Sequence, residues 1–329
     1  MKSISKLVLK ALTGALFLGA LGSTAFADGA SDYPSRPIRL IVPQSPGSVA
    51  DIMARVLSKP LGESLNQAIV VENRPGASGA VGAQVVARAP ADGYTILVGS
   101  ISTNGGLLSA IDPALPYDDL RDFVPITQIN DAPLLIITGV DSGITSLADL
   151  AKRAKAHPGD LTYASGGNSS GSRFVIELLR LDGHLNMLHV PYRAPAEAVR
   201  AVVAGETTLG APALPGALAL VNAGKLKALA VTGTERAQMF PDVPTTGEQG
   251  FPSAVLYNWT GLFAPAGTPD SVVQKLADAT RLALRDEAVI QVIRESGANA
   301  IGQSPADFQK FVEAEVRKWH KAVRDTGIQ

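Results

Sequence analysis

The chain has 329 residues, of which 29 are Lys or Arg and 30 are Asp or Glu, and it contains no cysteine. Without cysteine, a disulfide framework, a thiolate metal site and a cysteine nucleophile are all excluded. The formal charge of −1 argues against nucleic acid or an anionic membrane surface as the partner, because both attract a strongly basic face.

The first 27 residues have the pattern of an export signal. Three lysines precede an apolar stretch from Ala11 to Leu21, and Ala25-Phe26-Ala27 has the small-x-small pattern that signal peptidase recognises. The apolar stretch is well short of the ~20 residues that a membrane-spanning helix needs. We therefore expect cleavage after Ala27 and a mature protein in the periplasm.

Short apolar runs alternate with helical patterns along the rest of the chain. They are aliphatic or β-branched on both faces, which is typical of strands covered by helices on both sides. This alternation predicts an α/β protein with mostly parallel sheets. The candidate strands are Ile38–Val42, Ala68–Glu72, Thr95–Val98, Leu134–Thr138, Thr162–Ser165, Leu188–Pro191, Leu209–Ala211 and Ala228–Val231.

Three helices have recognisable starts. Ser146 to Asp149 forms a capping box, and Thr268-Pro269-Asp270 and Ser304-Pro305-Ala306-Asp307 each place a cap before a first-turn proline and an acid. The last helix carries an apolar stripe that predicts packing against the core. The stripe consists of Phe308, Phe311, Val312, Trp319 and Val323.

Two segments predict crossings between two interleaved lobes. Phe123–Asn130 and Val255–Ala264 are extended and Pro-flanked, and no low-complexity linker separates the alternating units. We expect residues 28–128 and 257–329 to form one lobe and residues 129–256 to form the other. The crossings would then act as the hinge.

Three polar loops follow predicted strands, and we call residues 43–51, 73–79 and 165–173 the first, second and third loops. Such loops lie at the carboxyl ends of strands, where α/β proteins bind ligands, and helix N-termini attract anions. The alternative is that the glycines only form tight turns. We expect ligand contacts from Gln44, Ser45, Gly47, Ser48, Asp51, Ser78, Ser165, Gly167, Ser169, Ser170, Ser172 and Arg173.

A catalytic motif competes with this interpretation in the third loop. Gly167 to Gly171 matches G-x-S-x-G between a strand and a helix, so a secreted serine hydrolase using Ser169 is the alternative class. A hydrolase needs an acid and then a histidine further along the chain, whereas His184 and His189 follow the serine too closely. The four histidines also lack metal-ligand spacing. We expect no catalytic residue, cofactor or metal.

Eight ordered segments between Pro37 and Pro269 carry a family resemblance. They are Pro37–Pro43, Val71–Ala77, Asp92–Thr95, Tyr163–Asn168, His189–Arg193, Ala223–Leu226, Pro241–Thr245 and Gly261–Pro269. In these segments the chain resembles the Bug-type substrate-binding proteins of tripartite tricarboxylate transporters. The resemblance implies a type II periplasmic-binding-protein fold that holds a carboxylate between the first and third loops. It also implies delivery to membrane permease subunits, and we expect a monomer.

The binding loops depart from the family pattern. The family usually has Phe-Pro-Pro-Gly-Gly where this chain has residues 44–48, histidine where Arg173 stands, and acids where Thr208 and Pro212 stand. We therefore count Pro212 among the site residues. The added guanidinium suits carboxylates, and losing two acids removes repulsion. These changes predict a di- or tricarboxylate or an aromatic diacid as the ligand, and a sensor role in place of transport stays open.

Overall fold

The computed structural model describes residues 33–327, so the predicted signal sequence and its cleavage site lie outside the described residues. The strands in this range are β1 (Ile38–Val42), β2 (Ile69–Asn73), β3 (Thr95–Ser100), β4 (Phe123–Pro133), β5 (Leu135–Gly139), β6 (Leu161–Ser165), β7 (Met187–Pro191), β8 (Leu209–Gly210), β9 (Leu226–Val231), β10 (Tyr257–Pro265) and β11 (Asn299–Ala300). The eight candidate strands correspond to β1–β3 and β5–β9, with ends that differ by at most two residues.

The α-helices alternate with these strands. They are α1 (Val49–Leu65), α2 (Ala80–Ala87), α3 (Leu107–Ile111), α4 (Leu147–Ala156), α5 (Gly171–Gly183), α6 (Pro195–Val203), α7 (Leu214–Asn222), α8 (Asp270–Ala283), α9 (Glu287–Glu295) and α10 (Pro305–Thr326). Within residues 33–327, no helix is both long enough and apolar enough to cross a bilayer.

The strands form two mixed sheets, with the orders β11-β4-β10-β3-β1-β2 and β7-β6-β8-β5-β9. In the first sheet β1 pairs in parallel with β2 and β3, but β10 is antiparallel to β3 and β4. In the second sheet β6 is parallel to β7 and β8, but β5 is antiparallel to β8 and β9. The expectation of mostly parallel sheets is therefore wrong. β5 and β10 each enter their sheet from the other sheet. They are therefore not connected to a neighbouring strand by the long crossover that a parallel pair needs.

Both predicted crossing segments are strands that pair with each other. β4 and β10 run antiparallel from the pair Phe123 and Pro265 to the pair Pro133 and Tyr257. The chain leaves the first sheet after β4, forms β5–β9 and returns in β10. β4 belongs to the first sheet as far as Pro133, and the lobe boundaries at 128/129 and 256/257 stay a prediction.

The last helix packs against parts of both lobes through the predicted apolar stripe. Phe308 and Trp319 are fully buried, and the Trp319 ring lies 5.5 Å from the Phe174 ring of α5. The Glu315 carboxylate accepts hydrogen bonds from the indole N–H of Trp259 at 3.2 Å and of Trp319 at 3.1 Å. Burial of the stripe confirms the core role predicted for this helix.

Two of the three predicted caps are present. The Ser146 and Ser304 hydroxyls accept hydrogen bonds from the backbone N–H of Asp149 (3.1 Å) and Asp307 (3.2 Å). Thr268 does not cap α8, because its buried hydroxyl donates to the Pro265 carbonyl at the end of β10 at 2.8 Å. The same carbonyl also accepts a hydrogen bond from Thr268 N–H at 3.2 Å, so Thr268 closes the turn after β10 instead of capping α8.

We predict that Gly261→Ala destabilises the fold by about 1–3 kcal/mol through overpacking. A Cβ at this position of β10 would lie 2.3 Å from Cζ of Phe308. That ring is fully buried, and its centroid lies 5.2 Å from that of Phe263, so it has little room to move. The urea midpoint, followed by circular dichroism, measures the loss.

Gly216→Ala is the matched control for this substitution. Gly216 lies in α7, and no atom comes within 4 Å of a Cβ built there. Gly216 lies in the first turn of α7, and alanine is a better helix former than glycine, so this variant should be at least as stable as the wild type. Equal midpoints for the two variants would contradict the packing account.

Candidate ligand-binding site

Parallel pairing brings the predicted loops to two sheet edges. The carboxyl ends of β1, β2 and β3 lie at one edge of the first sheet, so the first and second loops are neighbours there. They are joined by residues 100–106, which we call the β3 loop. The carboxyl ends of β6, β7 and β8 likewise share an edge, which carries the third loop. Such edges are where open α/β sheets bind ligands.

The first loop is held by a network around the Asp51 carboxylate. Asp51 is only 3% exposed and accepts hydrogen bonds from Gly47 N–H at 2.9 Å, from Arg55 Nε at 3.0 Å and from Asn73 Nδ2 at 2.9 Å. The Arg55 hydrogen bond, helped by Gly47 and Asn73 and opposed by burial, lowers the pKa of Asp51 to about 2. Because its oxygens are occupied within the loop, Asp51 fixes the shape of the loop.

The helix α1 begins within this loop. The Ser48 hydroxyl caps α1 by accepting a hydrogen bond from Asp51 N–H at 3.3 Å, and Gly47 has the left-handed φ of +81° that favours glycine. The Gln44 carbonyl accepts a hydrogen bond from Asn73 Nδ2 at 3.0 Å, which ties the second loop to the first. Ser45 and Gly47 are exposed, and Gln44 and Ser48 are half-buried.

Ser78 belongs to the same edge but is fully on the surface. It lies in a single 3-10 turn, Ala77–Gly79, has a φ of +55° and is exposed. A Cβ at Gly79 would lie 2.5 Å from Cγ2 of Thr103 and 3.4 Å from Cβ of Pro43. The second loop therefore packs closely between the first loop and the β3 loop.

Serine hydroxyls brace the third loop from inside. Ser170 caps α5 by accepting a hydrogen bond from Arg173 N–H at 3.4 Å, and it donates to the Gly167 carbonyl at 2.7 Å. The Ser172 hydroxyl accepts a hydrogen bond from Gly166 N–H at 3.2 Å. Gly167 has a φ of +118°, so the turn into the helix depends on glycine there.

The base of the third loop contains a serine–histidine contact. Ser165 is fully buried, and its hydroxyl lies 2.6 Å from Nε2 of His189, whose ring stacks on Tyr163 at 5.0 Å. Burial, followed by the positive charges of Arg173 and Arg180, lowers the pKa of His189 to about 4. His189 is therefore neutral at pH 7.

Arg173 lies inside the protein at the start of α5. The residue is 8% exposed, and its Nη1 donates a hydrogen bond to the Asn168 carbonyl at 3.2 Å. Its positive charge contributes to the lowered pKa of His189. The nearby carboxylate of Glu177 is paired with Arg180 at 2.5 Å.

The predicted nucleophile of the alternative hydrolase does not meet this histidine. Ser169 is half-buried, and its carbonyl accepts a hydrogen bond from the Ser102 hydroxyl at 3.2 Å. In the described part of the chain, His189 contacts Ser165, which is too deeply buried to attack a substrate. No hydrogen bond between residues 33 and 327 joins a histidine to the Ser169 side chain.

Pro212 lies beside the third loop at the end of β8. It is buried, and its carbonyl accepts a hydrogen bond from Leu135 N–H at 3.0 Å.

Two side chains join the loops to each other. Asn73 joins the first and second loops, and Ser102 joins the third loop to the β3 loop. Sequence reasoning missed the β3 loop, although Ser100 to Asn104 is polar apart from Ile101 and follows a predicted strand as the other loops do.

A separate polar cavity lies between α3 and α10, and none of the predicted site residues lines it. The Ser109 hydroxyl lies 2.5 Å from an Asp119 carboxylate oxygen and 3.0 Å from Nε2 of His320. Burial raises the pKa of Asp119 to about 7. Within residues 33–327, no cluster of three or more His, Cys, Asp or Glu side chains could hold a metal ion.

We predict that Asp51→Asn lowers stability by on the order of 2 kcal/mol at pH 7, because it removes the charge that the first loop binds. The carboxyl ionises near 3.8 in the unfolded chain, and its pKa is about 2 in the folded one. The unfolded state thus takes up the proton first, and the stabilisation is lost as the pH falls from about 4 to about 2. Urea unfolding of both proteins at pH 7, 5, 4 and 3 measures this. A difference in stability that stays constant over that range would contradict the assignment.

Comparisons with known proteins agree with this architecture. The family model described as the tripartite tricarboxylate transporter family receptor, TctC, matches residues 53–328. BugT of Bordetella pertussis is 35% identical over 316 residues, which cover 95% of this chain and 96% of that protein.

Two solved structures from Rhodopseudomonas palustris are similar throughout. Rpa4515 with adipate is 33% identical, with a TM-score of 0.79 over 90% of this chain and 99% of that one. MatC with bound malate is 31% identical, with a TM-score of 0.76 over 88% of this chain and 100% of that one. These matches confirm the resemblance and the two-lobed periplasmic-binding-protein fold. With its two loop-bearing edges and a family model that matches most of its length, this chain belongs to the Bug/TctC family of periplasmic solute-binding proteins.

Proposed function

We propose that this protein binds a di- or tricarboxylate or an aromatic diacid between its first and third loops and delivers it to the permease subunits of a tripartite transporter. The observation that carries the proposal is the pair of serine-capped helix starts, at Ser48 and Ser170, with the buried cation of Arg173 at the base of the second. Similar proteins solved with adipate and with malate support the choice of a dicarboxylate.

Electrostatics favour an anion at this place. The N-termini of α1 and α5 present backbone N–H groups and the positive ends of two helix dipoles. The carboxylates nearest the loops do not oppose an anion strongly, because Asp51 is paired with Arg55 and Glu177 with Arg180. Arg173 adds a full positive charge with a planar fork that suits carboxylate oxygens.

The binding free energy of a carboxylate ligand at such a site follows from the number of its hydrogen bonds. A hydrogen bond to a charged group contributes roughly 1.5–3 kcal/mol. Four to six such bonds, reduced by the loss of ligand and loop freedom, reach about −8 kcal/mol, which corresponds to a micromolar dissociation constant.

The site residues divide into two roles in this proposal. Asp51 and Ser165 position the loops, because their polar atoms are occupied within the protein. The contacts to the ligand come mainly from backbone N–H groups of the loops, because the hydroxyls of Ser48, Ser170 and Ser172 are already engaged within the protein. The residues that supply these contacts are Gln44, Ser45, Gly47, Ser48, Ser78, Gly167, Ser169, Ser170 and Ser172, with Arg173 and Pro212 completing the site. We further propose that the mature receptor starts after Ala27 and works as a monomer in the periplasm.

The histidine contact at the base of the third loop favours a receptor role over catalysis. The histidine there is neutral and contacts the buried Ser165, so no described base activates Ser169. An esterase assay with the wild type and Ser169→Ala tests the hydrolase: turnover that disappears in the variant would favour the enzyme. A signalling response to the ligand that persists after deletion of the permease would favour a sensor.

We predict that diacids bind at least ten times more tightly than monoacids of the same length in calorimetric titrations. The second carboxylate adds charged hydrogen bonds that a monoacid cannot form. The panel is malate, adipate, citrate and terephthalate, each with a matched monoacid. Equal affinities for diacids and their monoacids would contradict the proposed ligand class.

We also predict that Arg173→Gln weakens diacid binding by about 10- to 100-fold, which is about 1.5–3 kcal/mol, because one charged contact is lost. Arg153→Gln is the control, since Arg153 donates to the Ser142 carbonyl at 2.6 Å and lies outside the three loops. Circular dichroism checks that both variants fold. If folded Arg173→Gln binds diacids as the wild type does, Arg173 has no part in the site.

A further inference from the structure

A hydrogen bond joins the two lobes between the β3 loop and the third loop. The Ser102 hydroxyl, in the β3 loop, donates to the Ser169 carbonyl of the third loop at 3.2 Å. The two residues are 67 positions apart in sequence and belong to different sheets. Both residues are half-buried.

The first lobe fixes the position of the donor. Thr103 is fully buried, its hydroxyl accepts a hydrogen bond from Ser100 N–H at 3.0 Å, and its carbonyl accepts one from the Tyr117 hydroxyl at 2.7 Å. The Ser102 carbonyl accepts a hydrogen bond from Leu108 N–H at 3.1 Å. The β3 loop is therefore rigid, and Ser102 has little freedom to follow a moving partner.

The acceptor lies where the ligand is expected. The Ser169 carbonyl belongs to the peptide group that leads into Ser170, the cap of α5. The next residue, Gly171, packs against the crossing strand β10, because a Cβ there would lie 2.5 Å from Oδ1 of Asn258. A bond to the Ser169 carbonyl thus fixes the orientation of the helix start against both the first lobe and the hinge.

We propose that Ser102 is a positioning residue that latches the third loop to the first lobe in the closed receptor, and that this bond breaks when the lobes open. The proposal deepens the proposed function, on which it rests, by assigning the contact that favours closure. A neutral hydrogen bond of this kind favours the closed form by about two- to tenfold. Both partners of the bond belong to the protein, so the effect of removing it can be measured in the unliganded protein.

The test measures the distance between the lobes directly. Because the chain has no native cysteine, Ser271→Cys in α8 and Ala156→Cys in α4 attach one spin label to each lobe at exposed positions. In the unliganded protein, Ser102→Ala should reduce the closed population by about two- to tenfold in electron–electron distance measurements. The same variant should speed amide hydrogen exchange in residues 165–173 by a similar factor.

Two matched variants separate the latch from a general effect of losing a hydroxyl. Ser102→Thr keeps the donor and should restore the wild-type distances. Ser296→Ala removes a hydroxyl that donates to the Val292 carbonyl at 2.9 Å in α9, and it should change neither readout. Unchanged distances and exchange in Ser102→Ala would overturn the latch.

The experiments distinguish failure of the latch from failure of the proposed function. If wild-type protein binds no acid of the panel, the ligand class fails, but the distance measurements still decide whether Ser102 joins the lobes. If the acids bind and Ser102→Ala dissociates from adipate at the wild-type rate with unchanged distances, only the latch fails.

Discussion

Parallel pairing of three strands in each sheet is the constraint on which the site depends. Leu40 of β1 lies opposite Val71 of β2 and Ile96 of β3, so all three strands end at the same edge. In the second sheet β6 holds β7 and β8 in the same way. Each edge therefore gathers loops that lead into helices. The antiparallel strands β4 and β10 connect the two sheets without disturbing either edge.

Charge is distributed unevenly around these edges. Acids close to the loops are used to hold the protein together: Asp51 is surrounded by donors, and Glu177 accepts a hydrogen bond from the Tyr163 hydroxyl and pairs with Arg180. The serine hydroxyls mostly brace the backbone, as Ser170 does for Gly167. What the loops offer outward is consequently backbone N–H groups and positive potential, which suit an anion that is held and later released.

Much of this arrangement could be predicted from the sequence, because it depends on local signals. Ile38–Val42 is apolar apart from Arg39 and forms β1 at the predicted residues, and Ser146 and Ser304 cap the helices that they precede. The rest depended on partners far along the chain. Thr268 has the sequence of a cap, but the end of β10 claims its hydroxyl. The antiparallel pairing of β4 with β10 was not visible in the sequence, since strand direction leaves no local pattern.

Only part of the candidate site could be predicted, because local sequence signals mark some of its loops and not others. Glycine- and serine-rich turns mark the first and third loops, whereas Ser102 carries no such mark and gains its role only when the second lobe lies beside it. Asp51 was expected to contact the ligand, which stays a prediction, and its hydrogen bonds with Arg55 and Asn73 give it a part in shaping the loop as well. Sequence patterns thus predict where backbone is available for binding and not which side chains are already engaged.

The most direct measurement is a crystal structure of the mature protein with the tightest-binding acid of the panel. Our account predicts carboxylate oxygens within about 3 Å of backbone N–H groups in both residues 43–51 and residues 165–173. A ligand bound by only one lobe, or in the cavity beside Asp119, would contradict it.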